Sequence, residues 1–120
     1  MKNEEHQIQK ALIDLVSIAE SRYPLLSMLY AIPNGGYRNI ITGKRLKAEG
    51  VKRGIPDLFL PVARGGYNGF YIEMKTAKGR LSDWQKAWKT PLEEQGYKYS
   101  VIRSATDGLN ALIDYLGSGE

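Results

Sequence analysis

Two apolar runs, Asp57-Leu58-Phe59-Leu60-Pro61-Val62 and Gly69-Phe70-Tyr71-Ile72-Glu73-Met74-Lys75, flank the turn-rich segment Arg64-Gly65-Gly66-Tyr67-Asn68. Short apolar runs bounded by glycine read as strands, and a short glycine-rich loop between two of them requires antiparallel pairing. The loop is centred near residue 65, so Asp57 and Glu73 fall beside one another when the strands pair. Alternate side chains of a strand share a face, which sends Glu73 and Lys75 one way and Met74 into the opposite layer. Two neighbouring carboxylates coexist as anions only when a cation or hydrogen bonds compensate them. A divalent metal does this directly, and Lys75 adds a compact positive charge suited to a phosphate or a water. Taken singly, a Pro-Asp is a common turn and an E-x-K on a strand is often a surface ion pair. Their joint placement in otherwise apolar strands is what favours a site, because charges set there are costly unless used or paired.

Around this hairpin the chain alternates helical and strand patterns. Ile8, Ala11, Leu12, Leu15, Val16 and Ala19 recur at the helical period, giving an amphipathic helix over residues 4–20 that Pro24 keeps from running on. Residues 26–32 form an apolar run closed by Pro33-Asn34-Gly35-Gly36, which reads as a strand. Lys44 to Glu49 is a candidate short helix in a polar, basic stretch. Ser82 with Gln85 three residues on is a capping signature for a helix reaching about Gln95, closed by Gly96. Tyr97–Ile102 reads as a strand. Ser104 or Thr106 opens a last helix with Leu109, Leu112, Ile113 and Leu116 on one face. A strand–helix–strand unit favours a parallel crossover. The expected fold class is therefore α/β, a mixed central sheet flanked by helices, in a single domain over residues 1–120.

Composition narrows the chemistry. The 120 residues contain no cysteine and one histidine, His6. This excludes a disulfide scaffold, thiolate metal sites, thiol catalysis and multi-histidine metal cages. Any metal must be held by oxygen, which points to a hard cation. No stretch approaches a membrane span and the N-terminus lacks a signal-peptide apolar block, so the expectation is a cytoplasmic protein with no membrane partner.

Charge is unevenly spread. Residues 38–89 carry twelve basic and four acidic groups, whereas residues 1–37 and 90–120 are net acidic. A basic block with acidic flanks suits a polyanion such as DNA or RNA. The bland alternative is a solvated face. Trp84 and Trp88, four apart on one predicted helix, read as core residues, and His6 as a bystander.

The series Gly54-Ile55-Pro56-Asp57, then Glu73-Met74-Lys75, then Gly79-Arg80-Leu81-Ser82-Asp83-Trp84-Gln85 resembles the PD-(D/E)xK nuclease superfamily. Within it the chain is most similar to the virus-type replication-repair nuclease (VRR-NUC) domain, in its stand-alone phage form. Asn34-Gly35-Gly36 and an N-terminal helix bearing a glutamate complete the likeness, which runs from about residue 4 to 104. The resemblance implies a restriction-endonuclease-like αβββαβ core. It implies Mg²⁺ or Mn²⁺ held by Asp57, Glu73 and the main-chain carbonyl of Met74. Lys75 would orient or help deprotonate the attacking water, and Gln85 would lie near the site. The helix-1 glutamate falls on Glu5 or Glu4, which sit at opposite shoulders of the wheel about 50° from its apolar centre. Glu5 is preferred because Gln9 follows four residues later. Lys52 and Arg53 would meet phosphates beside the scissile bond, with Arg38, Lys44, Arg45 and Lys47 completing a DNA-binding flap. The implied activity is structure-selective cleavage of branched, Holliday-junction-like DNA by a homodimer, using an apolar patch such as Tyr23, Leu25 or Leu26. The competing readings are a non-catalytic nucleic-acid-binding module and a nuclease acting on duplex or flap DNA.

Overall fold

The computed structural model describes residues 2–33 and 40–117. Helix α1 (Lys2–Ala19) leads through a 3-10 turn (Pro24–Met28) to strand β1 (Tyr30–Ala31). Helix α2 (Ile40–Ala48), strands β2 (Leu58–Leu60) and β3 (Phe70–Met74), helix α3 (Asp83–Glu94), strand β4 (Lys98–Ile102) and helix α4 (Ala105–Leu116) follow. The strands form one sheet in the order β1-β2-β3-β4. β1 and β2 pair antiparallel, as do β2 and β3, while β3 and β4 run parallel. The fold class is the expected one, a mixed α/β sheet flanked by helices.

The β2–β3 hairpin is dictated locally. Arg64 and Tyr67 exchange backbone hydrogen bonds across Gly65 and Gly66. Both glycines take positive φ, 56° and 85°, as a tight hairpin turn demands. The resulting register sets Leu58 opposite Ile72 and Leu60 opposite Phe70. These four side chains are buried on the face covered by α1 and α4, where Leu12, Val16, Met74 and Leu112 join them. Gly108 lets α4 approach closely: a Cβ there would lie 2.8 Å from a Leu12 methyl. The opposite face carries a row of rings, with Phe59 stacked on Tyr71 at 4.2 Å and Tyr30 edge-on to Phe59 at 5.9 Å.

Several elements depart from the sequence expectation. Residues 26–32 are not one strand. Pro24 opens a 3-10 turn, the Ser27 hydroxyl donates to the Pro24 carbonyl, and only Tyr30–Ala31 pair with the sheet. Proline pre-sets the backbone of the first helical residues, which outweighs the apolar composition of the run. Leu26 is buried in the core and so is not available to an exposed patch, whereas Leu25 is exposed and Tyr23 half-buried. Helix α2 starts at Ile40, earlier than Lys44. Ser104, not Thr106, caps α4, accepting from the Asp107 N–H at 3.1 Å. Asn34-Gly35-Gly36 lies outside the described residues. Among those described, no helix is long and apolar enough to cross a membrane.

Leu12 sits where α1, α4 and the sheet converge. Leu12→Ala is expected to lower the unfolding free energy by about 3 kcal/mol, measured by urea denaturation.

Candidate active site

The pairing of β2 with β3 ends at Leu58 opposite Ile72, and the residues one step beyond, Asp57 and Glu73, bring their carboxyls within hydrogen-bonding reach of each other. Both therefore fall on the ring-bearing face, at its far end. The approach to Asp57 is shaped by Gly54, whose φ is +84°. A Cβ at Gly54 would lie 2.6 Å from the backbone of Trp84, so only glycine permits this loop to lean on α3. Buried Pro56 then stiffens the entry into β2. The Asp57 carbonyl accepts from Ile32 N–H at 2.8 Å, and its carboxylate Oδ2 accepts from Met74 N–H at 2.7 Å. The carboxylate is thus anchored to the strand that carries its neighbour.

Glu73 is only 2% exposed. Its Oε2 accepts from the Gln85 side-chain amide at 2.9 Å, while Oε1 is buried with no hydrogen-bond partner. Gln85 has a second task. Its Oε1 accepts from Ser82 N–H at 2.8 Å, and Ser82 Oγ accepts from Gln85 N–H at 3.1 Å, closing the capping box of α3. One side chain therefore ties the start of α3 to the carboxylate.

Lys75 is 8% exposed and follows β3 directly, its N–H donating to Ile102 O at 3.0 Å. The loop after it closes over the lysine stem. A Cβ at Gly79 would meet Lys75 Cδ at 3.3 Å, and Arg103 donates to the carbonyls of Thr76 and Gly79 at 2.7 Å each.

Burial is the main force on the acids. It pushes Glu73 up to about 9; the charge of Asp57 and a hydrogen bond to the Asp57 carboxyl add to the shift, Lys75 opposes it, and Glu5 adds the smallest push. Asp57 is raised as well, again by burial, opposed by the Met74 N–H, by a hydrogen bond with the Glu73 carboxyl and by Lys75. Glu5 is half-buried and its charge reaches Glu73, whereas Glu4 is exposed. Two crowded carboxyls and an unpartnered buried oxygen form the donor chemistry that a hard divalent cation satisfies. Among the described residues no cluster of three or more His, Cys, Asp or Glu could hold a metal. Further ligands would have to be main-chain carbonyls or water.

A sequence model of the VRR-NUC domain matches residues 3–106. The chain belongs to the VRR-NUC family. No curated protein matches it. A solved structure described as a VRR_NUC domain protein superposes with a TM-score of 0.79 at 24% identity, covering 97% of this chain and 90% of its own. Another, described as a VRR_NUC domain, gives 0.55 at 18% identity, covering 93% and 97%. At these identities the likeness speaks for the fold, which is of nuclease type.

Lys44, Arg45 and Lys47 are exposed on α2, and Lys52 and Arg53 are exposed on the loop leading to Asp57. Arg38 lies outside the described residues. Trp84 corrects the core expectation: it is 55% exposed, with the Arg53 guanidinium 5.2 Å from its ring centre. Trp88 is half-buried, and its indole N–H donates to the Arg53 carbonyl at 3.1 Å.

Two residues near the site escaped the sequence reading. Arg103 clamps the loop beside Lys75 through contacts that span more than twenty residues and leave no local pattern. Tyr99 is buried with an unpartnered hydroxyl, and its pKa is raised by burial and by the charges of Glu73 and Asp57. In sequence it is an ordinary strand tyrosine.

The carboxyl shifts carry a sign for stability. An acid whose pKa is higher folded than unfolded keeps its proton in the native state while the unfolded chain has already lost it. Stability then falls as pH rises between the two values. In EDTA the melting temperature is expected to decline from about pH 5 to pH 9 through Glu73, and Glu73→Gln is expected to flatten that decline, both read by differential scanning calorimetry.

Proposed function

We propose that this VRR-NUC domain is a Mg²⁺- or Mn²⁺-dependent endodeoxyribonuclease that hydrolyses phosphodiesters in branched, Holliday-junction-like DNA as a homodimer. The observation that carries the reading is the pair Asp57 and Glu73, held side by side in a buried pocket with one carboxylate oxygen unpartnered and Lys75 alongside. Two carboxyls buried this close are costly unless a shared proton or a cation compensates them, and a divalent metal does so directly.

Asp57, Glu73 and the Met74 carbonyl would hold the cation. When bound, it supplies the charge that polarises a phosphate and lowers the pKa of a water. Gln85 orients Glu73 by its amide, and Met74 N–H orients Asp57. The Lys75 ammonium positions the attacking water and offsets negative charge gathering on the phosphate. Glu5 extends the acidic wall from helix α1. Lys44, Arg45, Lys47, Lys52 and Arg53, with Arg38, supply phosphate contacts along the DNA.

Branched DNA and the dimer go together. A four-way junction presents two symmetry-related scissile strands, which a two-fold dimer matches. Leu25, Met28 and Tyr30 are exposed around the start of β1 and offer apolar surface for a partner copy.

Labelled duplex, flap and four-way-junction DNA, incubated with Mg²⁺, Mn²⁺ or EDTA, test the activity. Cleavage is expected with metal only and fastest on the junction. Asp57→Asn and Glu73→Gln should each lower it by about a hundredfold or more without lowering the melting temperature, and Lys75→Ala should reduce turnover more than binding. Binding without metal-dependent cutting would identify a non-catalytic module instead. Multi-angle light scattering at micromolar concentration is expected to give the mass of a dimer; a monomer with no junction preference would remove the branched-DNA reading.

A further inference from the structure

Next to the start of the loop that leads to Asp57 lies a recess of about 720 Å³, walled by α2, by that loop and by α3. Its rim is basic, with Lys47, Lys52 and Arg53, and its walls are apolar and aromatic, with Val51, Trp84 and Trp88. Among the described residues no acidic side chain lines it. The two tryptophans do different work. Trp88 braces the loop through its indole N–H to the Arg53 carbonyl, whereas Trp84 stays more than half exposed, with the Arg53 guanidinium set over its ring. An exposed indole beside three cations, in a recess of ligand-binding volume, matches the way unpaired nucleotides are held: the base stacks on a ring and the phosphate meets Lys or Arg.

We infer that this recess captures an unpaired DNA base by stacking on Trp84, with Lys47, Lys52 and Arg53 on the flanking phosphates. The inference rests on the proposed nuclease reading and names the part of the substrate that this face reads. The recess adjoins the site through the chain itself. Trp84 precedes Gln85, whose amide holds Glu73, and Arg53 stands four residues before Asp57. Gly54 locks the two walls together by packing its backbone on that of Trp84. Unpaired or easily unpaired nucleotides are what flaps and junction branch points present and blunt duplex lacks.

Fluorescence anisotropy in EDTA separates binding from cutting. The probes are fluorescein-labelled oligodeoxythymidine, the same strand built from abasic sugar-phosphate, and a blunt duplex. Trp84→Ala and Trp84→Leu are each expected to weaken oligodeoxythymidine binding about tenfold, and duplex binding by no more than about twofold. Trp84→Phe, which keeps a stacking face, should stay within about threefold of wild type. Wild type should bind the abasic strand more weakly than oligodeoxythymidine, whereas Trp84→Ala should bind the two alike. Equal losses on single strand and duplex, or none on either, would overturn the stacking site while leaving the nuclease reading in place. A wild-type protein that binds none of the probes would overturn both. Melting curves of the three variants confirm folding, and concordance of the alanine and leucine variants guards against a local collapse.

Discussion

The antiparallel pairing of β2 with β3 is the constraint on which the site depends. It places two carboxyls opposite each other at the end of the hairpin, where burial opposes charge on both. Nothing in the apolar core requires them there. The fold tolerates them by donating a main-chain N–H to Asp57 and a side-chain amide to Glu73, and it stops one oxygen short of full satisfaction. A buried polar atom left in this state is a cost of the order of 1–3 kcal/mol, which a ligand can recover.

The elements around the pair are coupled to it by few but specific contacts. Gln85 serves the helix cap and the carboxylate with the two ends of one amide, so the geometry of α3 and that of Glu73 cannot vary independently. Gly54 admits a close approach to the backbone of Trp84 that a side chain would block, and Gly79 sits tightly against the stem of Lys75. Arg103 reaches back from the end of β4 to hold the same loop. Pocket and neighbouring basic recess therefore share a scaffold: the loop over residues 51–57 and the first turns of α3 border both.

Much of this was legible in the chain because its signals are local. The hairpin could be centred from its glycines, and the partnership of Asp57 with Glu73 follows from counting outward. The cap of α3 was visible as Ser82 and Gln85, and the periodicity of α1 pointed to Leu12 and Val16, which are buried. The strand expected over residues 26–32 failed because apolar composition does not distinguish a 3-10 turn from a strand, and Pro24 decided in favour of the turn. Trp84 was misread for a related reason. Helical spacing groups Trp84 with Trp88 on one side of α3, but whether that side meets the sheet or solvent depends on how the helix docks.

Sequence alone determined the class of fold, the register of the central hairpin and the identity of the acids and lysine it gathers, since turn chemistry and strand alternation act over a few residues. Tertiary structure decided that Glu5 lies half-buried with its charge reaching Glu73, that the capping glutamine also grips Glu73, and that an indole stands open beside the basic loop. These outcomes depend on the angle and depth at which α1 and α3 pack on the sheet. That geometry is a sum of many side-chain contacts distant along the chain, and no short stretch of residues encodes it.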